Sequence, residues 1–185
     1  MNIRTLCVAS IMGVAAQSLA GCANASSRHS DRADTLADAQ VAYDRLIAQH
    51  PLAATLAKDA KGVLVFPNVL KAGFVLGGYH GTGALRKGDA FVARYGTTGA
   101  SYGLQAGVQK YSYAMFFMRE SDLAYLDSSS GWEVGVGPSI TVIDQGMASS
   151  TTSTTAREGV YVIFYDQKGL MAGLGIQGSK ITKLD

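Results

Sequence analysis

Cysteine, histidine and tryptophan are scarce in this sequence of 185 residues, which contains two cysteines, three histidines and one tryptophan. Both cysteines, Cys7 and Cys22, lie near the N-terminus, so no thiol beyond residue 22 can form a disulfide, ligate a metal or act as a nucleophile. The histidines, which are His29, His50 and His80, are far apart and lack the spacing of metal ligands. We therefore expect no metal site and no cofactor.

Catalytic signatures are also missing, because the sequence has no Walker loop, no His-Glu-x-x-His and no Gly-x-Ser-x-Gly. Neither sign of charge dominates, since the sequence has 16 basic and 14 acidic residues and a formal net charge of +2. A charge this small gives no case for nucleic-acid binding by the whole surface. We predict that the protein is not an enzyme. A hydrolase that uses an acid pair among Glu120, Glu133 and Glu158 is an alternative that no motif supports.

Long hydrophobic runs are absent as well. The apolar segment at residues 6–16 is shorter than the roughly 20 residues that span a bilayer. Arg4 precedes this segment, and Leu19-Ala20-Gly21-Cys22 follows it. The order resembles a bacterial lipoprotein precursor, with Leu-Ala-Gly-Cys as the lipobox. The resemblance implies a signal peptide over residues 1–21 and acylation of Cys22, whereas an ordinary secretory signal with an incidental cysteine is the alternative.

Three segments follow from this interpretation. They are the signal peptide (1–21), an acylated cysteine with a polar flexible tether (22–30) and a single domain (31–185). A domain of that length can bury enough apolar surface to fold as one unit. The expected location is the bacterial cell envelope, with the protein held by lipid. Ala23 follows the cysteine where an aspartate would favour the inner membrane, so we expect the outer membrane.

Helical periodicity comes first in the domain. Leu36, Ala39, Tyr43 and Leu46 repeat at intervals of three and four, which predicts a helix over residues 31–49. Pro51 then begins a second, shorter helix that ends near residues 61–62. These helices either pack on the domain core or lie on a membrane. The polar face of the first helix mixes acids and bases, which is unlike the basic face of a membrane-surface helix.

Strands dominate after residue 62. Alternating or apolar runs lie at residues 63–66, 73–85, 90–95, 101–118, 132–136, 140–142 and 160–165. A hairpin turn is predicted at residues 86–89, and a last hairpin is predicted to turn at 166–169 and return over 170–177. Ser121 is predicted to cap a short helix at 122–127. The predicted fold is α+β, with N-terminal helices packed on a strongly coiled, mostly antiparallel, partly barrel-like sheet.

Two strands pair an apolar face with a face of glycine and glutamine. In residues 101–109 the second face contains Gly103, Gly107 and Gln109, and in residues 170–177 it contains Gly173 and Gly175. Glycine inside a strand marks sharp coiling or the close approach of a backbone or a ligand. The pattern therefore fits either a crowded side of a closed sheet or a groove for an acyl chain or head group.

An ordered set of blocks resembles the SYLF domain, also called the Ysc84 actin-binding or DUF500 domain. The blocks are Ala60-Lys61-Gly62-Val63-Leu64-Val65-Phe66, Lys71-Ala72-Gly73-Phe74, Gly77-Gly78, Gly81-Thr82-Gly83-Ala84-Leu85, Gly103-Leu104-Gln105-Ala106-Gly107, Gly135-Val136-Gly137-Pro138, Lys168-Gly169-Leu170-Met171-Ala172-Gly173 and Gly178-Ser179. The resemblance covers roughly residues 34–181. Residues 88–91 depart from it, because many relatives carry a tryptophan after this hairpin.

The resemblance implies phospholipid binding, with phosphoinositides as ligands of eukaryotic members and actin as a partner of fungal ones. Bacterial members are mostly exported lipoproteins, so actin is not expected here. We predict a non-enzymatic envelope lipoprotein whose domain binds phospholipid. The alternative is an interaction module that binds a protein partner and uses lipid only as an anchor. The candidate lipid-binding residues are Lys61, Lys71, Arg86, Lys87, Gly103, Gly107, Gly173 and Gly175, and solvated surface charge is the alternative interpretation of the four basic ones.

Overall fold

The computed structural model describes residues 30–127, 132–133, 140–143, 159–169 and 179–185. Residues 35–185 belong to one compact unit. The lipobox with Cys22 and the tether lie outside the described residues, as do Gly173, Gly175 and the predicted return strand at 170–177.

Three helices occur in the described residues. The first two, α1 (30–49) and α2 (Pro51–Asp59), confirm the helices predicted from periodicity, and Pro51 opens α2 where its missing N–H costs nothing. The third, α3 (Glu120–Leu126), begins one residue before Ser121, and its N-cap position is Arg119. The predicted cap at Ser121 is therefore wrong, because that residue lies inside the first turn. None of these helices has the length and apolarity that crossing a bilayer requires.

A long antiparallel hairpin forms the body of the domain. Its strands are β1 (Gly62–Lys87) and β2 (Ala90–Phe117), joined by the predicted turn at Gly88 and Asp89. The sequence predicts separate strands at residues 63–66 and 73–85, and the break that it places at Pro67 is wrong. The strand continues through a bulge between Phe66 and Val69, where a residue without an N–H is tolerated. The hydroxyl of Ser112 donates a hydrogen bond of 2.6 Å to the carbonyl oxygen of Pro67 across this bulge.

In the described part of the chain, six strands form one mixed, mostly antiparallel sheet. The remaining strands are β3 (Trp132–Glu133), β4 (Ile140–Ile143), β5 (Val160–Gly169) and β6 (Ser179–Lys183). Their order is β3-β6-β2-β5-β4, with β1 on β2, and only β4 and β5 pair in parallel. The sheet curls into a half-barrel, which confirms the predicted fold class.

The predicted turn of the last hairpin is wrong. Residues 166–169 lie within β5, which bulges against β2 between the pairs Ser112–Tyr165 and Lys110–Lys168. Asp166 has a positive φ of 53° at this bulge. Asp166 and Gly169, which has a φ of 104°, are residue types that favour a turn, and the same positive φ values also serve a bulge.

Each face of the sheet contributes to a buried cluster. On one face, here called the α1 face, α1 and α2 cover a cluster that includes Leu46, Leu56 and Phe116. On the other, the α3 face, Leu123 and Leu126 of α3 pack with apolar and aromatic side chains of β1, β2, β5 and β6. Both helix packing and a core between sheet and helices were predicted, and both are present.

Glycine permits the curl of β1. A Cβ added at Gly83 would meet the carbonyl oxygen of Val65 and lie 2.6 Å from Cδ1 of Phe66, both in the same strand. One at Gly81 would lie 2.8 Å from Cγ2 of Val69. The strand therefore bends until its two halves touch, and only hydrogen fits at the contact.

Candidate functional site

Beyond the helices, the α1 face of β1, β2 and β5 is exposed. Leu70 pairs with Lys110, Lys110 pairs with Lys168, and Ala72 pairs with Val108. Directly opposed residues of neighbouring strands point to the same side of a sheet, so these five side chains form one surface. We call it the Lys110 patch. Leu70 is 53% exposed and Val108 is 58% exposed, and the other three residues are exposed as well.

The Lys110 patch carries positive charge. Lys110 and Lys168 are directly opposed, which is unfavourable for like charges. Neither forms a salt bridge with a described residue. Asp166 is the acid nearest to Lys168 in the described sequence, and Nη1 of Arg45 binds its Oδ2 at 2.7 Å. The patch therefore combines exposed apolar side chains with two ammonium groups that pair with no acid in the described part of the chain.

On the α3 face, a buried polar pair lies one residue along the strands from Leu70 and Lys110. Lys71 pairs with Gln109, and these side chains are 2% and 5% exposed. In the described residues, Lys71 has no ion pair and Oε1 of Gln109 has no hydrogen-bond donor. Burial lowers the pKa of Lys71 below its ordinary value, because a low-dielectric surrounding disfavours the charged amine.

Two of the other predicted basic residues lie at the hairpin turn. The guanidinium of Arg86 lies 4.7 Å from the ring centroid of Tyr43 and 3.1 Å from Oδ1 of Asp89. Arg86 lines a cavity of about 450 Å³ between α1, α2 and the turn, and its buried Nε lacks a partner in the described residues. Nζ of Lys87 instead lies 4.0 Å from Oδ2 of Asp127.

Lys61 is exposed at the junction of α2 and β1, where its amide donates to the carbonyl oxygen of Phe117 at 2.7 Å. The structure therefore does not gather the predicted basic residues into one site. Lys71 is buried in the middle of β1, while Arg86 and Lys87 lie at its hairpin end.

Two of the four glycines predicted to bind lipid, Gly103 and Gly107, lie in the described residues. Gly103 lies within β2, and Gly107 follows with a φ of 138°, a conformation that favours glycine. Gly107 pairs with Gly73 directly beside the pair of Lys71 and Gln109. Of the two faces predicted for residues 101–109, the glutamine face is buried at Gln109 and the apolar face is exposed at Val108.

Sequence reasoning missed Lys110, Lys168 and Gln109 as site residues. Lys110 lies two residues after Val108, so both side chains are on the same face of the strand. The alternation in the sequence therefore indicated a surface that is both basic and apolar. Lys168 was hidden by the predicted turn, since the register across the bulge is not visible in a sequence. In the described residues, no three His, Cys, Asp or Glu side chains lie together as a metal-binding group.

Part of the chain matches a known protein family. Residues 98–185 match the family described as Ysc84, Las17-binding protein actin regulator. No curated protein matches the chain. The Ysc84/SYLF family is generally non-catalytic, and its domain is associated with lipid binding. The resemblance over residues 34–97 stays a prediction, because the match begins at residue 98. The matched residues, 98–185, include most of β2 and all later strands of the described chain, so this part of the protein is similar to a Ysc84/SYLF domain.

Proposed function

We propose that the protein is a lipoprotein of the bacterial cell envelope, anchored in the outer membrane through acylated Cys22, whose domain binds anionic phospholipid without catalysis. The Lys110 patch is the observation that carries this proposal. Exposed Leu70 and Val108 are suited to enter the head-group region, and a lysine beside an anionic surface contributes about 1 kcal/mol. The association of the Ysc84/SYLF domain with lipid binding supports the same conclusion.

The Lys110 patch also suits a bilayer better than a second protein. Leu70, Lys110 and Lys168 lie in one row across three strands, so charged groups stand beside apolar groups on this surface. Long lysine side chains can extend their ammonium groups towards phosphates while their methylenes cover apolar surface. An anionic surface also relieves the repulsion between Lys110 and Lys168.

Flotation with vesicles tests lipid binding without the anchor. Residues 23–185, which contain the compact unit 35–185, are mixed with vesicles of phosphatidylcholine alone or with added phosphatidylglycerol. We expect flotation only with the anionic vesicles. The double variant Lys110→Glu/Lys168→Glu is expected to bind at least about 30-fold more weakly, because each lysine removed costs about 1 kcal/mol and each new glutamate adds repulsion.

The matched control is Lys58→Glu/Lys61→Glu, which makes the same change of charge at exposed lysines away from the patch. Binding by this control is expected to stay within a few-fold of the parent protein. Equal loss in both double variants would show general attraction by net charge. Absence of flotation with either vesicle would overturn lipid binding and favour the interaction module.

The anchor needs its own test. Mass spectrometry of the full-length precursor expressed in a bacterium is expected to show a chain that begins at Cys22 and carries acyl groups. Cys22→Ala is expected to abolish both the cleavage and the added mass. An unmodified N-terminal peptide in the parent protein would refute acylation while leaving the vesicle experiment unaffected.

A further inference from the structure

Small side chains surround the cavity between α1, α2 and the turn of the β1–β2 hairpin, whose volume is about 450 Å³. Ala54 and Ala57 of α2 and the following Ala60 each present only a methyl group, and Gly62 presents no side chain. Helix α2 therefore leaves the space between itself and the turn open. A cavity of roughly 150 Å³ holds one benzene ring, so this one has room for a body of two rings and a head group.

The inner wall of the cavity is mainly apolar. Val63 of β1 is buried there, and Tyr43 and Ile47 of α1 are half-buried and line the same space. All three side chains also pack with the buried cluster of the α1 face, so the core holds this wall in place. An apolar body that enters the cavity is removed from water, which is favourable by about 25 cal/mol for each Å² of apolar surface.

Exposed residues form the mouth of the cavity. Lys58, Gly88 and Asp89 line the cavity, and all three are exposed. A Cβ added at Gly88 would meet no atom of the described residues within 4 Å, so neither backbone nor side chain covers this part of the turn. The cavity therefore opens to solvent between the last turn of α2 and the hairpin turn.

Two cationic side chains of the cavity have donors without an acceptor in the described part of the chain. Nη2 of Arg86 lies 3.1 Å from Oδ1 of Asp89, so these two groups balance each other in charge. Nε of Arg86 is buried and has no acceptor among the described residues. Lys58 forms no salt bridge with a described residue. An ammonium group and an N–H donor at one cavity favour a ligand with a negatively charged oxygen.

We propose that this cavity binds a small aromatic monocarboxylate, with its ring body against Ile47 and Val63 and its carboxylate beside Lys58 and Arg86. One negative charge balances the ammonium group of Lys58. A rigid ring body loses less conformational freedom on binding than a flexible chain of equal area, so it gains more from a preformed wall. None of the residues that line the cavity belongs to the Lys110 patch, so the site does not depend on the proposed membrane docking.

Calorimetric titration at neutral pH with naphthoate tests the site. Naphthylmethanol has the rings without the charge, acetate has the charge without the rings, and nonanoate has the charge on a flexible chain. We expect naphthoate to bind, and each of the other three probes to bind at least tenfold more weakly. Absence of naphthoate binding, or equal affinity for naphthoate and either naphthylmethanol or nonanoate, would overturn the proposal.

Ala54→Leu places a larger side chain in the cavity and keeps a good helix former in α2. This variant is expected to weaken naphthoate binding at least tenfold. Ala48→Leu is the matched control, because it makes the same change at an exposed position of α1 that does not line the cavity, and its affinity is expected to be unchanged. Unchanged naphthoate binding by a folded Ala54→Leu protein would place the ligand elsewhere and overturn the proposal.

Lys58→Met removes the ammonium group at the mouth and is expected to weaken naphthoate binding several-fold. Lys61→Met is its control at an exposed lysine outside the cavity, with no expected change. If Ala54→Leu fails to fold, this pair of exposed substitutions decides the question, and equal affinities in the pair would overturn the proposal. Lys110→Glu/Lys168→Glu separates the two proposals, since it is expected to lose vesicle binding and to retain naphthoate. Absence of vesicle binding in the parent protein therefore contradicts the proposed function only.

Discussion

The hydroxyl of Tyr95 donates a hydrogen bond of 2.6 Å to Oδ1 of Asp127, the residue that follows α3. Nζ of Lys183 donates to the same oxygen at 3.2 Å. Strand β2, the end of α3 and strand β6 thus meet at one carboxylate. Burial and the neighbouring carboxylate raise the pKa of Tyr95, so the phenol stays a donor over the whole physiological range.

Tyr95→Phe is expected to destabilise the protein by about 1–2 kcal/mol, because the variant leaves the ring packed and deprives Asp127 of a charge-assisted hydrogen bond. Urea denaturation measures the change. Tyr43→Phe is the control, since its ring contact with Arg86 remains, and it is expected to stay within about 0.5 kcal/mol. Equal destabilisation of the two variants would contradict a special role for the bond.

The same carboxylate predicts a pH dependence. The hydrogen bond from Tyr95 lowers the pKa of Asp127 first, and Lys183 lowers it further, while burial opposes both. A carboxyl whose folded-state pKa is depressed stabilises the fold above its unfolded value of about 3.9, and this stability is lost as the pH falls through the folded value. Asp127→Asn is expected to flatten the acid limb of urea midpoints plotted against pH. Parallel acid limbs in both proteins would refute the assignment.

Substitutions of Gly83 and Gly78 in β1 compare a crowded glycine with one that has room for a side chain. Gly83→Ala would place its methyl against the carbonyl oxygen of Val65 and the ring of Phe66, so a loss of about 3 kcal/mol is expected. At Gly78 the nearest atom to an added Cβ is the carbonyl oxygen of Gly99, at 3.7 Å. Gly78→Ala is expected to stay within about 0.5 kcal/mol in thermal or urea denaturation. Comparable losses at both positions would contradict the close contact within β1.

The apolar part of the Lys110 patch makes a separate prediction. Leu70→Ser/Val108→Ser removes exposed apolar area, so vesicle binding is expected to fall about tenfold while the free energy of unfolding changes by less than about 1 kcal/mol. Flotation and urea denaturation of the same preparation measure the two effects. A large loss of stability would show that these side chains are part of the core, which their exposure argues against.

The helices and the fold class were predictable because their signals are local. Leu36, Ala39 and Leu46 recur at helical spacing within α1. Gly88 with Asp89 forms a turn that needs no distant residue. The break between residues 66 and 73 and the turn at 166–169 were predicted wrongly because a turn and a bulge use the same residue types. The site was harder, since Lys110 and Lys168 meet only through the register of β2 and β5.

The continuous pairing of β1 with β2 has a consequence for folding kinetics. Every pair from Lys87–Ala90 to Gly62–Phe117 is closed through the turn at Gly88 and Asp89. Once the first pair has formed, each following pair closes only a small additional loop, so the entropy of loop closure is spread over many small steps. We therefore expect this hairpin to lengthen from the turn that contains Gly88, which has a φ of 58°, and later strands to add to an edge that already exists.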